Sequence, residues 1–170
     1  MRHFARTSAV LLALVPAASC GRSLEPGTYA FETRSVRQDS CSTEPAGELL
    51  LPDAELEIAG DTVRLAFSSS GPLVPGLSGA RGEKALIGRF LPDREVERFI
   101  ADASFDVVRD IQGISCVAFA HASIEARVES DTRFVGELRI DYTRRTDAQP
   151  ECPAGCVVQV EFAADRSGDG

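Results

Sequence analysis

Five cysteines, two histidines and 26 acidic side chains are the groups in this chain with the most chemical potential. Cys152-Pro153-Ala154-Gly155-Cys156 sets three residues between its thiols, whereas redox pairs use two beside a helix start, so a structural role fits it better. His121 is the only histidine beyond the first 19 residues. A lone imidazole cannot build a His-rich metal site, and cysteines paired as disulfides do not ligate zinc. Ser68-Ser69-Ser70-Gly71 has none of the strand-turn-helix setting of a nucleophile elbow. The glycine-rich run Gly71–Gly82 lacks the Gly-Lys-Ser/Thr ending of a phosphate loop and reads as a flexible loop, or as a lid through Leu73, Val74 and Leu77. Glu151, Asp165 and Asp169 make no calcium-loop pattern. The remaining carboxylates alternate with arginines, as in Glu125, Arg127 and Glu129 or Glu137, Arg139 and Asp141, the pattern of ion pairs on a solvated sheet face. No catalytic constellation, metal site or cofactor follows from these residues.

The fifth cysteine belongs to a different pattern. Arg2 and Arg6 precede the apolar run Ala9–Val15, which is too short for the roughly 20 residues of a membrane span, and Pro16 and the small residues Ala17-Ala18-Ser19 follow. Ala17-Ala18-Ser19-Cys20-Gly21 resembles the lipobox of bacterial lipoproteins. That resemblance implies a signal peptide over 1–19, a lipid on Cys20 and a tether over 20–27. It also implies export to the cell envelope, with the outer membrane favoured in a Gram-negative cell because Gly21, not aspartate, follows the cysteine. Cysteine parity agrees with it: lipid on Cys20 leaves Cys41, Cys116, Cys152 and Cys156, an even set that an oxidising compartment can pair. No later stretch is apolar enough to span a bilayer as a helix. Loss of Arg2 and Arg6 leaves 16 basic against 26 acidic residues, a formal charge of −10. Such a charge repels nucleic acid.

The elements that must position these groups are strands. Apolar and polar residues alternate over 28–36, 54–59, 62–68, 84–91, 97–109, 116–129, 132–144 and 156–164. Gly60-Asp61 and Ser130-Asp131 supply tight turns. The segment 93–98 also has helical spacing behind Asp93 and leaves room for a short helical turn. The expectation is one all-β domain over 28–164 with a flexible tail at 165–170. Its eight antiparallel strands form an up-and-down meander, closed or nearly closed into a small barrel. Pro26-Gly27-Thr28-Tyr29 is loosely similar to the start of lipocalin-like barrels.

The connections fall into two sets. Those at 59–61, 92–96 and 130–131 are short, and those at 37–53, 69–83, 110–115 and 145–155 are longer, so the two sets occupy opposite ends of the meander. Cys41, Cys116, Cys152 and Cys156 all map to the long-loop end. Three pairings are open; a closed barrel with its last strand beside its first favours Cys41 with Cys152 or Cys156, and Cys116 with the other. Strand six changes phase at His121. One bulge near Ala122-Ser123 would turn Val117, Phe119 and His121 inward with Ile124, Ala126 and Val128, and without it His121 points outward.

Two functions follow from this frame. The first is an envelope lipoprotein holding a small apolar ligand in its barrel, with Phe105, Phe119, His121 and Tyr142 facing the ligand and with Ala101, Ala103 and Gly136 leaving room. The second is a structural or protein-interaction lipoprotein whose barrel is filled and whose loops meet an envelope partner.

Overall fold

The computed structural model describes residues 23–41, 53–67, 85–92, 95–111, 114–145 and 155–168. Alternation becomes eight strands: β1 (Gly27–Asp39), β2 (Ala54–Ala59), β3 (Thr62–Phe67), β4 (Ala85–Phe90), β5 (Arg98–Ile111), β6 (Ile114–Ser130), β7 (Arg133–Arg144) and β8 (Gly155–Arg166). Each pairs antiparallel with the next, and β8 returns to β1, closing the expected barrel. Closure leaves no free sheet edge where all eight strands are present.

The strands differ in length, and the difference divides the molecule. β2, β3 and β4 have 6 residues each, whereas β1 has 13, β5 has 14, β6 has 17 and β7 and β8 have 12 each. β1 meets β2 only over Gly27–Tyr29, and β5 meets β4 only over Phe99–Asp102. Past those points, among the described residues, each keeps a single partner. The barrel is thus ringed by all eight strands at the short-turn end. A five-stranded sheet, β5-β6-β7-β8-β1, carries on beyond it.

Aromatic rings fill the ringed end. Phe134 stands at their centre, with ring centroids 5.1 Å from Tyr29, 5.3 Å from Phe99, 5.8 Å from Phe31 and 6.0 Å from Phe162. Phe67 stacks on Phe31 and Phe90 on Phe99, each 5.6 Å away. Leu56, Val63, Leu65 and Leu86 pack around these rings. At Gly88 a Cβ would lie 1.7 Å from the Ile100 carbonyl oxygen, so only glycine lets β4 approach β5 so closely.

Several expectations need correction. Glu95 and Val96 form a bend and β5 starts at Arg98, so no helical turn forms over the described part of 93–98. Ile111 pairs with Ile114, which leaves only residues 112–113 to link β5 and β6; the connection expected at 110–115 is a short one. β6 is in unbroken register with β5 from Arg127 to Ile114, so the bulge near Ala122-Ser123 is absent. The irregularities lie elsewhere: in β1, between Thr33 and Ser35 and between Val36 and Gln38, where they keep Tyr29, Phe31 and Val36 on the inner face, and at the end of β6, between Val128 and Ser130. β8 continues through Arg166 and the Ser167 amide bonds to the Thr28 carbonyl, so 165–167 are held to the barrel and are no loose tail.

The described part of the segment expected as a tether, residues 23–27, is also held. Leu24 is buried in the core at the short-turn end, and the Glu25 amide donates to the Asp131 carbonyl at 2.8 Å. The Tyr29 hydroxyl donates to the Glu25 carbonyl at 2.7 Å. Burial pushes the Tyr29 phenol up to about 12, with Glu25 and Asp131 adding to the rise and Arg166 opposing it.

Candidate functional site

The inner face of the five-stranded extension is a buried apolar wall. Strand periodicity sends alternate residues inward, and on this stretch they are apolar: Phe105 on β5, Ala120 and Ala122 on β6, Ile140 and Tyr142 on β7, Val158 and Val160 on β8. Register brings the centre of the face together, with Ala120 opposite both Phe105 and Tyr142, and Ala122 opposite both Ala103 and Ile140. Two aromatic rings therefore flank a line of methyl groups. The methyl groups of Ala120 and Ala122 take up little volume beside those rings.

A disulfide braces this end. Cys41, just past β1, is bonded to Cys156 at the start of β8, with Cα atoms 5.1 Å apart and a sequence separation of 115. This is one of the two partners expected for Cys41. Cys116 is buried and also disulfide-bonded, and its partner lies outside the described residues. The Cys41 amide bonds to the Asp39 carboxylate at 3.0 Å, and Ser40 exchanges hydrogen bonds with Val157. The β1–β8 seam is therefore tied by covalent and backbone links where the flanking short strands have ended.

The expected ligand-facing residues divide. Phe105 and Tyr142 are inside, 8% and 5% exposed. Phe119 and His121 are outside, and Phe119 is 45% exposed, because the phase change in the sequence marks apolar residues on the outer wall and not a bulge. Ala101 and Gly136 keep the inner face, but at the ringed end. A Cβ on Gly136 would come within 2.3 Å of the Glu125 carbonyl, so that glycine serves close strand approach more than ligand space.

On the outer wall His121 completes a row that spacing alone did not expose. Ser104, His121 and Asp141 are directly opposite one another on β5, β6 and β7, and Ser104 Oγ lies 3.1 Å from His121 Nδ1. The Arg139 guanidinium hydrogen-bonds both Asp141 oxygens, at 2.7 and 2.8 Å, and holds the carboxyl below its usual range, with His121 contributing further. Asp141 is thus committed to arginine, and the row lies on an open sheet face where water competes for every polar contact. Beside it a groove of about 430 Å³ runs between Ile100, His121 and Arg139. Among the described residues no three His, Cys, Asp or Glu side chains gather as metal ligands.

Ion pairs cover the rest of the outer wall, as the alternating charges predict. Arg133 bridges Glu129 at 3.1 Å and Asp165 at 2.6 Å, Arg64 meets Glu57 at 2.9 Å, and Arg98 meets Glu125. Hydrogen bonds from Ser35 and then Arg37 hold the Glu161 carboxyl below its usual range. Exposed pairs of this kind contribute about 0–1 kcal/mol each and describe a solvated surface.

Cys20, Cys152 and the glycine-rich run Gly71–Gly82 lie outside the described residues. Among the described residues no helix is long and apolar enough to cross a membrane. No protein-family model matches the chain, and no curated protein matches it.

Proposed function

We propose that this chain is an exported envelope lipoprotein, anchored through Cys20, whose barrel binds a small apolar molecule against the inner face of the five-stranded extension. One observation carries the binding reading. Among the described residues five strands continue past the other three, and the side chains they turn inward there, Phe105, Ala120, Tyr142 and Val158 among them, are apolar. An apolar wall that outruns the opposite wall needs an apolar neighbour, because leaving it in water forfeits about 25 cal/mol per Å². A small apolar ligand would supply such a neighbour. The same lining favours an acyl chain, an isoprenoid or a small aromatic over a sugar or a nucleotide, since it offers few polar partners.

The lipid and the compartment rest on the lipobox resemblance and on the disulfides, which suit an oxidising space. Cys20→Ser is expected to abolish incorporation of labelled fatty acid; unchanged labelling overturns the anchor. For the ligand, an organic extract of natively purified protein, read by mass spectrometry, is expected to contain about one apolar molecule per barrel. An empty extract, together with failure to take up added fatty acid or quinone, overturns the binding reading.

A second reading is favoured by a specific feature. The ringed end is filled by seven aromatic side chains, while Ile87 and Phe119 stand 57% and 45% exposed on the outer wall. If the extension is filled in the same way, the protein is an interaction module that meets an envelope partner through its exterior. The empty extract is the result that selects this reading.

A further inference from the structure

Ser23, Leu24 and Glu25, a few residues after Cys20, are part of the barrel. The Ser23 amide bonds to a Glu97 carboxylate oxygen at 3.0 Å, and its hydroxyl contacts the same oxygen. Leu24 is 2% exposed. Glu25 is held by its amide to Asp131, by its carbonyl to Tyr29 and by its carboxylate to Arg166. Three successive residues are thus fixed to three elements of the short-turn end: the 91–97 connection, the β6–β7 turn and the end of β8. A segment fixed at every residue has already lost its conformational freedom and cannot act as a leash.

We infer that the short-turn end is a foot that rests on the membrane, holding the barrel upright with its disulfide-bridged end toward the water. This deepens the proposed function and rests on lipid attachment at Cys20. From Cys20 to Ser23 the chain spans three residue steps, at most about 11 Å even when fully extended. Glu97 and Asp131 therefore stay close to the headgroups. The 14 residues of β5 rise away from that point. At about 3.3 Å per residue and a tilt of about 40°, the other end stands roughly 35 Å higher. Leu24 and the aromatic cluster close the foot, so a ligand enters from the far end. Its source is then the aqueous space or a carrier protein, and not the bilayer that holds the anchor. A long loose tether would let the barrel tip over and present its far end to that bilayer; the belt at Ser23–Glu25 keeps the short-turn end next to the anchor instead.

The test uses the full-length lipidated protein in phosphatidylcholine vesicles whose headgroups carry a fluorescence quencher. A genetically encoded fluorescent amino acid at Ser130, beside the β6–β7 turn, or at Gln38, exposed near the far end of β1, avoids new thiols. Quenching at Ser130 is expected to exceed that at Gln38 several-fold. Eight Gly/Ser residues inserted between Gly21 and Arg22 leave the barrel unchanged and are expected to bring the two values together. Equal quenching without the insertion, or a difference that survives it, overturns the fixed foot. Acyl mass on Cys20 is measured on the same samples. If it is present and quenching is equal, the orientation alone fails; if it is absent, the anchoring fails and the orientation with it.

Discussion

The two ends of this barrel are closed by different means. The short-turn end is ringed by all eight strands, plugged by Phe134 and its neighbours and sealed by Leu24. Among the described residues five of the eight strands reach the far end, and its seam is tied by the Cys41–Cys156 bond. Packing stabilises one end through many weak contacts that tolerate no vacancy. A covalent link stabilises the other by restricting the unfolded chain, and it does so without filling space. A barrel that must keep one end open to a guest can use the second method there, whereas the first would occupy the site.

Four changes sharpen or break this contrast. The largest effect belongs to Cys41→Ala with Cys156→Ala. Opening a loop of 115 residues costs about 4–5 kcal/mol in the chain-entropy account, read from urea unfolding. Hydrogen exchange should rise first around Cys156–Val158 and last around Phe134; a uniform rise would mean the two ends are one cooperative unit. Phe134→Ala removes the central ring of the plug, with an expected cost of about 3–5 kcal/mol. A cost below 1 kcal/mol would show that the plug is loosely packed. Adding volume separates the ends further. Ala126→Leu at the ringed end should cost about 1–3 kcal/mol by overpacking, whereas Ala120→Leu on the extension should cost little and weaken ligand uptake. Equal costs would mean both ends are solid.

The smallest effect is alkaline. The Tyr29 phenol ionises near 10 in the unfolded chain and is pushed up to about 12 by burial in the fold. The folded state thus holds its proton where the unfolded state has lost it. That stabilisation is whole below pH 10 and declines as pH rises toward 12. The urea midpoint should fall across this window more steeply for the native protein than for Tyr29→Phe; parallel curves would place the phenol in water.

Much of this was legible in the alternation of apolar and polar residues. All eight strands, their order and closure, and the grouping of Cys41, Cys116 and Cys156 follow from period-two patterning and turn residues. Phase was the weak point, because apolar residues are an imperfect marker of the inner face. Phe119 is apolar yet outside, and it suggested a bulge near Ala122-Ser123 that does not exist. The true bulges in β1 fall among Arg34, Ser35 and Arg37, whose polar side chains carry no phase to read. Leu24 was equally silent: one leucine in a polar stretch gives no period, and only the core it enters explains it. The Ser104–His121–Asp141 row needs the register of three strands, which no local pattern supplies.

The claim that the extension holds a guest has a direct optical test, because the chain has no tryptophan and only two tyrosines, one at each end. In Tyr29→Phe protein, Tyr142 is the sole tyrosine, and it lies on the proposed binding wall. Titration with a neutral naphthylamine probe that accepts tyrosine emission should give saturable energy transfer at about one probe per barrel. Added fatty acid or another natural apolar ligand should displace it, and Ala120→Phe should abolish the transfer while the fold persists. Transfer that never saturates, or that survives Ala120→Phe unchanged, would contradict a binding site in the extension.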